Sequence, residues 1–473
     1  MVFSSLTFLL YFLPTLWLVY YLCPASFKNG VLLVASLFFY AWGEPVYLLL
    51  MLFSIMMNYA FGALIGRAKE AAVTYADNKL IRLHLGLAVA ANLSLLGLFK
   101  YAGFFTGVLG HIVPVEEIEV ALPIGISFYT FQALSYVVDV AGGKVRPQRN
   151  LLSFALYITM FPQLIAGPIV VYKEMQDQLG DHPVTNAKLR RGMWRFIIGL
   201  GKKVLLANPM GQLFTMISEC GEWSFGFTWI GAAAFTLQIY YDFSGYSDMA
   251  MGLGEMFGFK FPVNFNAPYT AKSVTDFWRR WHITLSSWFR DYVYIPLGGN
   301  RGGVKKHIRN LLIVWLLTGF WHGAGWNFML WGVYYGVLLV LEKYVWGSRI
   351  EAHPVIGHIY TMFIVIVGWV IFAFTDMGSM GRFLAGMFGA GGFSMTAGIA
   401  GAAGSVTMGR ILSGYGVTFV LCLIGVLKGT GRFLKNLYKK HAYITVAWLL
   451  AVLVLCLMAL VHDSYNPFLY FRF

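Results

Sequence analysis

In the stretch Thr318-Gly319-Phe320-Trp321-His322-Gly323-Ala324-Gly325-Trp326, a lone histidine interrupts an apolar run. Leu311 to Leu317 precede it and Phe328 to Leu341 follow, which predicts that His322 lies at membrane depth. An imidazole, with an unperturbed pKa of about 6.5, can take up a proton near neutral pH. A charged side chain at the centre of a spanning helix costs roughly 2.5–3.5 kcal/mol and a neutral imidazole less, so the residue marks either a functional site or an inter-helix hydrogen bond. Glycines at 319, 323 and 325 would let a substrate or a second backbone approach the ring. A second candidate set lies between Asp276 and Tyr292, where the spacing is helical. Trp278, Trp281, Leu285, Trp288 and Tyr292 share one face, and Arg279, His282, Ser286 and Arg290 share another. Such a helix would lie in the membrane interface, its arginines either meeting lipid phosphates or, with Arg280, holding the phosphates of a nucleotide-bearing donor. The third set, Gln238 to Asp248, places an amide and two carboxylates inside an apolar segment. Structural hydrogen bonding is the expected role for most of it, with catalysis as the alternative.

The elements that must position these residues follow from composition. Of 473 residues, 58% are hydrophobic and 12% charged, against about 25% charge in soluble domains, which excludes a soluble globular protein. Runs of about 20 apolar residues recur throughout, as expected of one integral-membrane domain over residues 1–473. Phe3 to Leu22 has no preceding Lys or Arg and no small-residue cleavage site, so it reads as a retained helix. The cysteines at 23, 220, 422 and 456 form neither a CxxC pair nor metal spacing, and no metal site is expected. The net charge of +14 gathers in loops between apolar runs, which marks cytoplasmic loops rather than nucleic-acid binding. These loops are Arg67 to Arg82, Lys144 to Arg149, Lys173 to Lys203, Lys260 to Arg309 and Lys428 to Lys440. Glu116, Glu117, Glu119, Glu219 and Glu222 mark the opposite side with less weight.

Counting crossings between these loops gives an all-α polytopic protein with about ten transmembrane helices, plus re-entrant and interfacial helices. Phe154 to Val171, with Pro162 and Pro168 and basic residues on both sides, reads as a re-entrant or in-plane segment. His322 is expected in a broken hairpin that enters from the cytoplasm and returns to it. The Gly-rich stretch 385 to 404 reads as an outer loop or distorted helix. Gly298 to Gly303 lacks the features of a phosphate-binding loop and reads as a flexible cytoplasmic loop. No HExxH or GxSxG motif occurs. On these features alone an enzyme and a transporter or flippase are equal readings, although no internal repeat supports the latter.

Several motifs resemble the membrane-bound O-acyltransferase (MBOAT) family, in its bacterial alginate O-acetylase branch. They are Phe161 to Pro168, Gln238 to Asp248, Asp276 to Arg301 and Trp321 to Trp326, together with the opening Met1 to Ser5 and the closing Asn466 to Phe473. The resemblance implies a helical fold around a central tunnel or funnel in a bacterial inner membrane. It implies that the family's near-invariant histidine is His322 and that its second polar position is His282. It also implies acetyl-CoA as the acyl donor, with no permanently bound cofactor, and an acceptor hydroxyl reached from outside. Burial opposes an imidazolium, so His322 is assigned as general base. His282 is a second base, a donor-orienting group or an oxyanion stabiliser. Arg279, Arg280, Arg290, Ser286, Trp321 and Trp326 are the candidate donor contacts. Extracytoplasmic acetyltransferase partners are expected to complete the modification of a polysaccharide such as alginate, with cellulose, peptidoglycan, a teichoic-acid carrier or a lipid-linked sugar as other acceptors.

Overall fold

The computed structural model describes the chain except residues 72–78, 115, 117, 119, 221–222, 394–398, 402–403, 428, 432, 434–435, 437–439, 441, 464 and 470–473. The expectations for Glu117, Glu119 and Glu222, for much of the basic loops 67–82 and 428–440, and for Tyr470 to Phe473 therefore lie outside the described residues. Two compact units emerge, Met1–Met193 with Ala250–Pro262, and Trp194–Met249 with Val263–Phe473.

The first unit begins with α1 (Leu13–Leu22), α2 (Lys28–Ala41), α3 (Tyr47–Glu70), α4 (Lys79–Gly110) and α5 (Ile126–Ala141). Apolar side chains cover nearly every face of α3 and α4, so polar pairing rather than amphipathicity fixes their register. Buried Asn58 and Asn92 donate to each other's side-chain oxygens at 3.1 and 2.7 Å, satisfying two amides that water cannot reach. Next come α6 (Leu151–Thr159), α7 (Phe161–Leu164) and α8 (Tyr172–Met175). The segment read as re-entrant is a helix broken at Met160, where ψ reaches 108°. The Phe161 N–H donates to Ser36 Oγ at 3.1 Å, and the Gln163 amide donates to the Tyr157 carbonyl at 2.6 Å. The break is thus satisfied by protein, the condition under which irregular backbone survives in a membrane.

The second unit draws on α9 (Asn186–Gly201), α10 (Asn208–Ser218) and α11 (Phe225–Met256), followed by α12 (Val274–Trp278) and α13 (Ile283–Phe289). Then follow α14 (Val304–His322), α15 (Trp326–Leu341), α16 (Gly347–Ala352), α17 (Pro354–Ala373), α18 (Met377–Met387), α19 (Met408–Gly425) and a last helix, Ala442–His462. Within the Gly-rich stretch, residues 388–393 form the expected loop, and a short ladder lies beyond it. α18 ends at Met387, and Ile399–Gly401 pairs with Gly404–Val406 as a short antiparallel hairpin. Gly298 to Gly303 is not simply flexible, because Asn310 donates to the carbonyls of Leu297 and Gly299 at 3.1 and 2.9 Å.

Among the described residues, six helices are long and apolar enough to cross a membrane: Tyr47–Glu70, Lys79–Gly110, Trp326–Ile350, Pro354–Ala373, Met408–Gly425 and Tyr443–His462. Other expected crossings fall on shorter or polar helices. Arg195 to Ile217, for instance, is interrupted by a wide helical turn over Lys202–Ala207, and α11 carries Asp242 and Asp248.

Both carboxylates are engaged by lysines. Asp242 lies 2.9 Å from the buried Lys203 ammonium and accepts the Leu469 N–H at 2.9 Å, while Lys203 also donates to Asn208 Oδ1 and the Pro467 carbonyl. Asp248 pairs with Lys202 at 2.7 Å. Helices α14 and α15 form a tight antiparallel hairpin because glycines face each other. A Cβ on Gly319 would meet the Phe328 carbonyl oxygen at 2.3 Å, and one on Gly332 would meet the Trp315 carbonyl oxygen at 2.5 Å. At the open end His307 and the Tyr344 hydroxyl are hydrogen-bonded, so the two arms start and finish side by side, as the broken-hairpin reading requires.

Two predictions follow from this packing. Gly319→Leu will separate the arms and lower the yield of monodisperse protein in detergent, whereas Gly97→Ala, with open space around it, will not. Asp242→Asn will lower thermal stability by about 3–5 kcal/mol by leaving the Lys203 ammonium buried without its counter-charge. The double replacement Lys203→Met with Asp242→Leu will lose less, measured by thermal unfolding of purified protein.

Candidate active site

The region from Asp276 to Tyr292 is not the single interfacial helix its periodicity suggests. Helix α12 stops at Trp278, and α13 restarts at Ile283 after His282 adopts φ +43°, ψ +54°. A left-handed backbone at a non-glycine residue ends the hydrogen-bond ladder, and this break is satisfied by a neighbouring extended segment. The Asn264 carbonyl accepts the Ile283 N–H at 3.0 Å, and the Asn266 N–H donates to the Arg280 carbonyl at 3.0 Å. The segment is two-sided: Trp281 is 2% exposed and His282 1%, whereas Arg279, Ser286 and Arg290 are exposed. Helical periodicity put the correct residues on one side, but a run of buried tryptophans reads the same in an interfacial helix and in a core.

Aromatic side chains set the walls. Trp278 meets Trp315 and Tyr335 at 4.8 Å each between ring centroids, and Trp281 meets Trp369 at 4.7 Å. Such pairs each contribute about 0.5–1.5 kcal/mol beyond burial and fix ring orientation. The hairpin brings in the second histidine. His322 is the last residue of α14, followed by extended Gly323, and is 5% exposed. Trp321, Trp331 and Phe372 surround its ring at 4.9, 5.2 and 5.3 Å. At the other end of α15, buried Glu342 accepts the N–H groups of Val274 and Thr275 at 2.8 Å each, tying the start of α12 to the hairpin.

These elements line an open cavity of about 830 Å³. His282 and His322 both line it, and so do Arg279, Ser286 and Arg290, so the whole predicted polar stripe faces one space. Ser287, Tyr294, Lys343 and Ser348 add further polar groups, and Trp278, Trp281, Leu285, Trp315 and Leu339 supply apolar wall. A pocket of this size, apolar with a few convergent polar groups, suits a small organic substrate or part of a larger one. Two expected donor contacts stand elsewhere, Arg280 paired with Asp276 at 2.8 Å and Trp326 55% exposed at the start of α15, while Trp321 packs against both histidines, its ring centroid 4.9 Å from His322 and 6.1 Å from His282. Asn264 and Glu342 were missed by sequence reasoning. Each is a lone polar residue beside aromatics or at the end of an apolar run, and neither spacing nor motif distinguishes it from a surface residue.

Comparison with known proteins agrees with this architecture. Residues 144–376 match the family described as MBOAT, membrane-bound O-acyltransferase family. The chain is 42% identical to a probable alginate O-acetylase AlgI of Azotobacter vinelandii over 84% of this chain and 80% of the relative. It is 36% identical to a peptidoglycan O-acetyltransferase of Helicobacter pylori over 84% and 81% of the two chains. To a teichoic acid D-alanyltransferase of Bacillus subtilis it is 27% identical over 60% and 76%. A multi-pass helical chain with a histidine-lined cavity and relatives of this kind belongs to the membrane-bound O-acyltransferase family, and is an acyltransferase.

Proposed function

We propose that the protein moves an acetyl group from cytoplasmic acetyl-CoA across a bacterial inner membrane for O-acetylation of an extracytoplasmic polysaccharide such as alginate. One observation carries the reading: two buried histidines and two arginines line a single cavity. Acyl transfer to a hydroxyl requires that the hydroxyl lose a proton as its oxygen attacks the thioester carbonyl. His322 takes that proton, the new C–O bond forms, and the C–S bond breaks to release CoA as thiolate, which recovers a proton. Trp321, Trp331 and Phe372 surround the imidazole and limit the water near it that would hydrolyse the thioester.

Arg279 and Arg290 stand on the cavity wall with Ser286, Ser287 and Lys343, a donor set suited to the phosphates of CoA. Arg290 holds Asp291 at 2.7 and 3.1 Å and would exchange this exposed pair for phosphate. The named relatives favour an acetyl group over D-alanine, since the acetyltransferases are 36% and 42% identical and the D-alanyltransferase 27%. Extracytoplasmic partner proteins would receive the acetyl group and deliver it to the polymer.

The test uses inside-out vesicles, with polysaccharide and candidate partners supplied on the acceptor side, and measures acceptor-dependent release of free CoA from acetyl-CoA. Wild type will release CoA, and His322→Ala will lose on the order of 10²–10⁴-fold in rate, the usual contribution of a general base. Equal release by both would reduce His322 to a structural role. Arg279→Ala and Arg290→Ala will raise KM for acetyl-CoA by roughly tenfold or more, with a smaller change in kcat. This corresponds to loss of one charge-assisted hydrogen bond of about 1.5–3 kcal/mol each.

A further inference from the structure

We infer that Asn264 is a positioning residue that fixes the tautomer of His282, protonated at Nδ1 with the lone pair on Nε2. The inference deepens the acyl-transfer reading of the cavity and rests on it. Asn264 is fully buried and its side-chain oxygen gathers three contacts: the Thr284 backbone nitrogen at 3.3 Å, Thr284 Oγ1 at 2.9 Å and His282 Nδ1 at 3.1 Å. The two ends of an amide are hard to tell apart by shape, so its orientation must come from its neighbours. A backbone N–H can only donate, and it therefore requires the Asn264 oxygen on this side. The amide nitrogen then points the other way, where it donates to Ser247 Oγ at 3.3 Å.

An oxygen already turned toward these donors has no hydrogen to give, so His282 Nδ1 must carry the proton. A neutral imidazole carries one N–H, which leaves the lone pair on Nε2. The ring has little freedom to escape this arrangement. Phe243 stands edge-on to it at 4.7 Å and 82°, and His282 is itself 1% exposed. The backbone is held by the same residue, because the Asn264 carbonyl receives the Ile283 N–H immediately after the left-handed turn at His282. Asn264 thus sets both where the histidine stands and which nitrogen can accept.

The consequence separates the roles open to His282. With Nδ1 committed to Asn264, the neutral ring offers an acceptor at Nε2 and no second N–H. It can accept a proton or orient a hydroxyl, but in its neutral form it cannot stabilise a developing oxyanion by donation.

The experiment uses the full-length protein in vesicles with acetyl-CoA, together with ¹⁵N spectra of histidine-labelled protein in which His282→Gln assigns the His282 signals. Wild type is expected to show a protonated Nδ1 and an unprotonated Nε2 at His282. Asn264→Leu, which removes the acceptor at similar volume, is expected to lower kcat on the order of ten- to a hundredfold. That is less than outright loss of an acid–base group, and KM for acetyl-CoA should stay within about twofold. Asn264→Asp keeps the accepting oxygen and should restore most of kcat, with Ser247 donating in return. An Nε2-protonated His282, or an Asn264→Leu variant with wild-type kcat while His282→Ala is inactive, would overturn the assignment. Should Asn264→Leu fail to fold, the wild-type spectrum decides alone. Wild-type transfer by His282→Ala would instead remove His282 from the reaction, a failure of the site reading that the spectrum distinguishes from a wrong tautomer.

Discussion

Irregular backbone inside a membrane protein survives only if its polar groups find partners in the protein itself, and the second unit is organised around one such break. The left-handed turn at His282 splits what the sequence writes as one helix, and Asn264 and Asn266 meet the exposed backbone groups at 3.0 Å each. Because the break is satisfied, α12 and α13 can diverge. Arg279, placed before the turn, and Ser286 and Arg290, placed after it, then reach the same cavity as the histidine between them. Without the partners at Asn264 and Asn266, the straight helix would be the better solution for the backbone.

The hairpin supplies the other half of the site by a different kind of constraint. Van der Waals contact, not the hydrophobic effect, holds helices together among lipid tails, so close approach matters more than apolar area. Glycines at 319 and 332 permit that approach, and the extended residues Gly323 and Gly325 turn the chain at the tip. Glu342 joins the two constraints, since its carboxylate receives the first N–H groups of α12 while it stands on the return arm. A shift of the hairpin would therefore move the cavity wall that bears Trp278 and Arg279.

How much of this was legible in the sequence differs by element. The hairpin around His322 followed from counting crossings between basic loops, and the membrane class and the shared face of Arg279, His282, Ser286 and Arg290 from apolar run length and helical spacing. These signals are local, and lipid or core burial does not alter the period. The break at His282 was not legible, because nothing about a histidine between Trp281 and Ile283 announces a positive φ. The reason for it lies 18 residues earlier, at Asn264. For Gln238 to Asp248 the spacing pointed to hydrogen bonding inside the bundle, but the identity of the partners was not legible. Lys202 and Lys203 had been counted with a cytoplasmic basic cluster, whereas both meet carboxylates of α11. Charge counting assumes that each cation faces water, and it fails where a helix carries the counter-charge inward.

The ion pair of Lys203 and Asp242 has a further meaning in time. Its carboxylate also receives a backbone N–H from Leu469, 227 residues later in the chain. At roughly 5–20 residues per second, translation takes about 11–45 s to supply that third partner. During this interval the nascent helix bundle holds a charged pair whose hydrogen-bond shell is incomplete. The interior of the second unit is therefore complete only once the segment around Leu469 has been made.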